Sequence, residues 1–337
     1  MKLAILAFTR RGCDRAEEVR RALQPEECRM YTMEKFLRPD FLPYAPPLAA
    51  FLGPIFAWAE QIVFVGSTGM AIRAIAPWVA DKKTDPGVLV VDERGCFVIS
   101  LLSGHIGGAN ALTRTLAAAL GATPVITTAT DVNGRFSVDD WAARNHLTIA
   151  SMAAAKAVSA AILEGDVPLC ADCPLGPLPA GVVAGADGAL GIYIGWREKT
   201  PFATTLQLIP RALTLGVGCR RGIARETVEQ AVAEALEAHR IPRAALSRVC
   251  SIDLKAHEPG LLAFCEGWGL PLTCYSAEEL LAVPGEFSAS EFVKSVTGVD
   301  NVCERAAMLG GNRLLVKKTA RDGVTVAVAE QAWEVAF

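Results

Sequence analysis

Residues 101–121 read LLSGHIGGANALTRTLAAALG. An apolar run stops at Ser103-Gly104-His105, glycines follow at 107 and 108, and an alanine- and leucine-rich pattern then begins. Leu112, Leu116, Ala119 and Leu120 share one helical face, and Gly121 stands where a left-handed C-terminal cap belongs. The stretch reads as strand, glycine-rich turn, helix. Working outward, the same hand-over recurs. LAILAF (3–8) is a strand before a helix from Asp14 to Leu23, and QIVFVG (61–66) is a buried strand entering Ser-Thr-Gly and a helical MAIRAIAPWV. VLVVDERGCFVISLL (88–102) reads as strand, Asp-Glu-Arg-Gly turn, strand, a hairpin signal, and TPVITTAT (123–130) as a further strand. Residues 37–54 are proline-rich and read as irregular. Such alternation predicts an α/β fold with a largely parallel sheet.

The pattern weakens from about 146 to 205, where MAAAKAVSAAILEG is helical and CPLGPLPAGVVAGADGALG reads as loops and hairpins. It returns with the strand ALTLGVGC (212–219), an Arg220-Arg221-Gly222 turn and a helix whose stripe is Val228, Ala231, Val232, Ala235 and Leu236. VCSIDL (249–254) is a strand, and RLLVKKTA and GVTVAVAE pair across Arg-Asp-Gly. The expected organisation is two α/β units, N-terminal over 1–145 and C-terminal over 209–337, joined by a small central insert or linker domain over 146–208.

A chain of 337 residues with 52% hydrophobic content can bury sizeable cores. Its net charge of −3 argues against a general nucleic-acid binder, although local cations can still hold anions. No uncharged run reaches the ~18 residues of a membrane helix. MKLAILAFTRRGC reads as a first strand and not a leader, so a soluble, cytoplasmic protein without membrane partners is expected. Of ten cysteines only Cys170 and Cys173 form a CxxC, without further ligands at tetrahedral-site spacing. They are reduced thiols in a proline-rich connector or a metal or redox pair, and no metal site is expected.

Glycine-rich strand-to-helix turns occur three times: GSTGM with Gly66 and Gly69, SGHIGGAN with Gly104, Gly107 and Gly108, and GVGCRRG with Gly216 and Gly218. Each lets backbone amides approach an anion, or simply permits close helix–strand packing. None is a P-loop, and the Rossmann fingerprint is incomplete. Arg220 and Arg221 are a carboxylate- or phosphate-binding fork or a solvated pair. Lys317 and Lys318 alternate faces on a strand, so at most one lines a site. Lys82 and Lys83 read as turn decoration. His105 is an acid–base candidate or a histidine bonded to a backbone carbonyl, and Ser103 an oxyanion donor or water positioner. Asp253 and Lys255 sit at a strand end, as ligand residues or a plain ion pair. Glu304 begins a helix, where its charge suits the dipole.

The motifs go further. IRAIAPWVADKKTDPGVLVVDERGCFVISLLSGHIGGANALTRTLAAALGATPVITTATDVNGRFSVDDWA resembles the N-terminal and central parts of the cobalt-precorrin-5A hydrolase family of anaerobic cobalamin biosynthesis (CbiG). LGVGCRRGI, SIDLKAHEPGLLAF, YSAEEL, SVTGVDNVCERAAML and VKKTARDGVTVAVA resemble its C-terminal domain in the same order. The family turn usually reads TGVGSV, and here Asp300 and Asn301 replace a small pair. The resemblance implies opening of the ring A δ-lactone of cobalt-precorrin-5A, with release of acetaldehyde. Cobalt then arrives with the substrate, and no cofactor of the protein is implied. Chemistry maps His105 to base or acid, Ser103 and the 104–108 amides to oxyanion donors, and Arg220, Arg221, Lys255 and Lys317 to clamps for substrate carboxylates, in a cleft between the units. Neighbouring pathway enzymes are further candidate partners. A non-catalytic tetrapyrrole carrier is the first alternative and a nucleotide-binding enzyme the second.

Overall fold

The computed structural model describes residues 1–81, 84–105 and 107–337, so the Lys82–Lys83 turn lies outside the described residues. The chain divides into two compact units, Met1–Ala143 with Ile162–Glu164, and Arg144–Ala161 with Gly165–Phe337.

The first unit is built on seven strands: β1 (Lys2–Ala7), β2 (Glu27–Thr32), β3 (Phe41–Pro43), β4 (Gln61–Val65), β5 (Gly87–Val91), β6 (Phe97–Leu102) and β7 (Thr123–Val125). Their order is β3-β2-β1-β4-β5-β6-β7. Strand β1 is fully buried from Leu3 to Ala7, as a central parallel strand covered on both faces must be. Leu3 and Ile5 pack with Cys13, Ala16 and Val19 of the helix Arg10–Leu23 and with Leu116 of Ala109–Leu120. Ala4 and Leu6 pack on the other side with Leu52, Ile55 and Phe56. Those three lie on the helix Leu48–Trp58, which takes over the end of the irregular stretch expected over 37–54. Burial of this face outweighs the missing amide of Pro54 inside the helix. The strand expected over 123–130 stops at Val125, and a short helix, Ala129–Val132, follows.

The first five strands are parallel, and β6 runs antiparallel to β5, with Val91 opposite Val98 and Val88 opposite Leu102. This hairpin has a large consequence. The turn leaving β6 emerges beside the beginnings of β4 and β5, where Gln61 Nε2 donates to the Gly107 carbonyl at 2.5 Å. The Gly66–Gly69 turn leaves the opposite end of β4. Five residues of strand, roughly 16 Å, separate the two edges, so these glycine turns do not converge.

The second unit carries two five-stranded sheets. The middle segment forms β8 (Thr148–Ile149), β9 (Val167–Ala171), β10 (Val182–Ala184), β11 (Leu190–Ile194) and β12 (Thr204–Ile209), ordered β10-β9-β11-β12-β8. The last third forms β13 (Leu213–Cys219), β14 (Leu246–Ile252), β15 (Leu272–Tyr275), β16 (Arg313–Arg321) and β17 (Val324–Glu330), ordered β15-β14-β13-β17-β16. Leu213, Leu215 and Val217 meet Val228, Val232 and Leu236 of the helix Arg225–Ala238, the stripe expected from sequence. Trp196 sits in that same core and its indole donates to Glu330 at 2.8 Å, fastening the two sheets together. The terminal hairpin forms as expected. No helix of the described residues is long and apolar enough to cross a membrane.

Candidate functional site

Two places collect the chemistry, one in each unit. In the first, Ser103–His105 and Gly107–Gly108 fold tightly against one another. A Cβ at Gly107 would stand 2.4 Å from that of Ser103, and one at Gly104 would meet the Asn110 amide at 2.6 Å. Gly108 adopts φ 77° and Ser103 φ 54°, a strained value for a residue with a side chain. The amide of Gly108 donates to the His105 carbonyl at 2.8 Å, Ala109 to Ser103 at 3.2 Å and Asn110 to Gly104 at 2.9 Å. The Gly108 amide, expected as an oxyanion donor, is therefore spent inside the turn. The Ser103 hydroxyl oxygen is buried and has no hydrogen-bond partner among the described residues.

His105 is held from two sides. Its Nε2 lies 3.1 Å from Asp131 Oδ2 and 3.3 Å from Thr130 Oγ1, and its Nδ1 lies 3.4 Å from Asp139 Oδ1. The clamp is anchored in turn. Asn110 Nδ2 donates to Asp131 Oδ2 and to Thr128 Oγ1, both at 2.9 Å, and Arg114 pairs with the other oxygen of Asp131. Ser100 donates to Asn110 Oδ1 at 2.7 Å, and Ser137 to Asp139 Oδ1 at 3.0 Å. Burial opposes protonation of His105, but the bonds and charges of Asp139 and Asp131 outweigh it and raise its pKa. Burial likewise works against ionised Asp139, yet the imidazole and Ser137 bring its carboxyl down to about 2. Asp131 is lowered as well, Arg114 and His105 overcoming its burial. The plain histidine bonded to a carbonyl is not what forms. Asp131 and Asp139 were not singled out from sequence. Each opens a short helix, and Asp131 stands 26 residues downstream of the histidine it holds.

In the second unit, a cavity of about 1110 Å³ opens where β13, β14 and β16 end. Such a crevice at strand C-termini is the usual ligand position of open α/β sheets. Arg220, Arg221, Lys255, Lys318 and Arg321 bring positive charge to its lining. Hydrocarbon comes from Ile252, Leu254 and the helix Glu291–Thr297, whose Phe292 is 77% exposed and Val296 63%. Lys255 bonds Glu258 at 3.0 Å, and Glu258 also accepts from the Gly222 amide at 2.8 Å. Arg321 pairs with Glu234. Arg220, Arg221 and Lys318 have no carboxylate within ion-pair distance among the described residues. Cys219 lines the cavity as a thiol, burial pushing it up to about 11.

Several expected residues find other employment. The cavity takes Lys318 and not Lys317: alternation along β16 puts Lys318 on the same face as buried Val316 and cavity-lining Ala320, and Lys317 on the exposed face. Asp253 caps its own turn, accepting from the Leu254 amide at 2.7 Å, and does not line the cavity. Gly218 lines it, whereas a Cβ at Gly216 would stand 1.9 Å from the Cys303 carbonyl, so Gly216 seats the helix Val302–Gly310 on the sheet. Glu304 is buried and saturated. It accepts from Ser288 N at 2.8 Å, Ser288 Oγ at 3.0 Å, Asn301 Nδ2 at 2.7 Å and Lys318 N at 2.6 Å. Asn301 caps that helix, accepting from the Glu304 amide at 2.9 Å, and Asp300 pairs with Arg305 at 2.9 Å. The departure at 300–301 is thus absorbed as a cap and an ion pair. In the first unit Gly69 has nothing within 4 Å, and Ser67 caps the helix Thr68–Ile75. Cys170 and Cys173 are thiols whose pKa burial raises. No group of three or more His, Cys, Asp or Glu among the described residues is arranged to hold a metal ion.

An α/β chain with a clamped imidazole in one unit and a cation-lined cavity in the other matches two family models in chain order. Cobalamin synthesis G N-terminal matches residues 50–131, and Cobalamin synthesis G C-terminus matches residues 213–329. These define the class, a two-part cobalamin-synthesis G protein. The cobalt-precorrin-5A hydrolase of Salmonella typhimurium is 35% identical over 96% of this chain and 96% of its own. That of Priestia megaterium is 32% identical over 97% and 94%. Protein CobE of a Sinorhizobium species is 34% identical over 36% of this chain and 80% of its own. The chain belongs to the cobalt-precorrin-5A hydrolase family.

Proposed function

We propose that this chain hydrolyses cobalt-precorrin-5A, opening its ring A δ-lactone and releasing acetaldehyde to leave cobalt-precorrin-5B. The observation that carries the substrate class is the cavity of the second unit. Its volume suits a macrocycle, its helix wall offers hydrocarbon to a ring face, and three of its cations lack a protein counter-ion. A corrin precursor rimmed with acetate and propionate groups supplies what each surface lacks. Cobalt enters as part of the substrate, and the protein contributes no metal of its own. The whole-length relatives named as hydrolases support the reaction.

Lactone opening needs water delivered to the acyl carbon and a proton for the departing alkoxide. His105 is the acid–base group of this reading, and Ser103, with its unpartnered hydroxyl, the candidate donor to the developing oxyanion. Cleavage of the carbon–carbon bond that frees acetaldehyde sends its electron pair into the metallated ring, so the protein's task there is to hold the substrate. The test is acetaldehyde release from cobalt-precorrin-5A by the purified full chain. Binding of the substrate without acetaldehyde would overturn the reading and leave a carrier.

A further inference from the structure

An imidazole has two ring nitrogens, and in its neutral form only one of them carries hydrogen. At His105 each nitrogen faces a carboxylate, Asp131 at 3.1 Å and Asp139 at 3.4 Å. Two ionised carboxylates offer only acceptors, so both contacts are satisfied only when both nitrogens bear hydrogen. The two sides differ in firmness. Asp131 is fixed by Asn110 and by Arg114, while Asp139, held by Ser137, stands at the longer distance.

We propose that Asp131 and Asp139 are positioning residues that hold His105 as a doubly protonated, correctly turned ring, and that His105 is the proton donor to the alkoxide of the opening lactone. This rests on the hydrolase reading above. Asp131 orients the ring through Nε2, and the hydrogen on Nδ1, on the looser side, is the one transferred. As the water oxygen bonds to the acyl carbon, the acyl carbon–oxygen bond breaks and its electron pair stays on the alkoxide oxygen. That oxygen takes the Nδ1 proton. The proton lost by the attacking water returns the ring to its cationic form, so the cycle closes without another reagent. The charged groups set around the ring are Asp131 from the helix Ala129–Val132, Asp139 from Val138–Arg144 and, through Asp131, Arg114 from Ala109–Leu120.

The experiment follows the ring nitrogens of His105 by NMR in the ligand-free, ¹⁵N-histidine-labelled full chain, with assignment by His105→Gln. In the wild type the doubly protonated form should persist above pH 6.5. In Asp139→Asn and in Asp131→Asn the midpoint should fall by about one pH unit, the low end of what an adjacent opposite charge does. The alkaline limb of kcat for acetaldehyde release should fall with it, at an unchanged KM. A wild-type midpoint below 6.5, a midpoint unmoved in both variants, or a moved midpoint with an unmoved kcat limb each overturns the proposal. If one variant does not fold, the other and the wild-type titration still decide. The nitrogen titration needs no substrate, so its failure is distinct from failure of the hydrolase reading, which is absence of acetaldehyde from the wild type.

Discussion

The turns at 103–108 and 216–222 share a recipe of glycines and cationic side chains after a strand, and they come to opposite electrostatic ends. At the first, the imidazole is enclosed: His105 meets two carboxylates, and the Gly108 amide bonds back into the turn. At the second, Arg220 and Arg221 line an open cavity and form no ion pair among the described residues, although Glu258 and Asp322 share that lining. A charge neutralised by its own protein can act on a proton but has little left for an anionic ligand. A charge left unpaired awaits one. Glycine-rich sequence alone does not separate these outcomes, and the partners supplied by distant residues do.

The sharpest way to break this contrast is to remove the enclosed imidazole. His105→Ala should lower the rate of acetaldehyde release by ~10²-fold or more, the scale of losing an acid–base group. The dissociation constant for a cobalt corrinoid, read by absorbance titration, should stay as it was. Arg220→Ala with Arg221→Ala should do the reverse. Two lost charge-assisted bonds, at ~1.5–3 kcal/mol each, weaken binding by about 10²-fold or more, more at low salt, with kcat kept. Unchanged affinity would make the open turn mere surface and dissolve the comparison.

Much of the framework was legible. Apolar strands, the Val228–Leu236 stripe and the 88–102 hairpin all stand in the sequence and in the fold. The hairpin also held, unread, the reason two glycine turns lie on opposite edges: reversing one strand carries its exit to the other end of the sheet. The clamp on His105 was not legible, because its carboxylates arrive from helices far along the chain and a single sequence carries no distances. Alternation left room for only one of Lys317 and Lys318, and it is the burial of Val316, two residues earlier, that places Lys318 toward the cavity. The helix Leu48–Trp58 was hidden by its prolines, whose local cost the buried face overrides.

Smaller effects sharpen what glycine does in each turn. Gly216→Ala should destabilise the second unit by about 1–3 kcal/mol in a melting experiment, since its Cβ would meet the Cys303 carbonyl. Gly69→Ala, with open space around it, should stay within ~0.5 kcal/mol of wild type. Equal losses would refute the packing assignment. A further effect is in pH. The raised His105 stabilises fully below its usual 6.5 and loses that contribution as pH climbs through the folded value. The lowered Asp131 and Asp139 contribute above their usual 3.8 and lose it as pH falls, for Asp139 toward about 2. The clamp should therefore favour folding most between 3.8 and 6.5. Urea unfolding of wild type against His105→Asn should differ there by ~1 kcal/mol and converge at both extremes; a constant difference would speak against an ionic clamp.

The buried carboxylate of Glu304 joins three separate stretches, at Ser288, Asn301 and Lys318, of which Asn301 and Lys318 line the cavity and the first reaches it at Ser290. One side chain thereby sets the spacing of those walls before anything enters. A receptor so braced spends little conformational entropy when its guest arrives, and the guest must fit the room as built. Discrimination between successive intermediates that differ by a bridge or a methyl would then be exercised by shape, at the moment of entry.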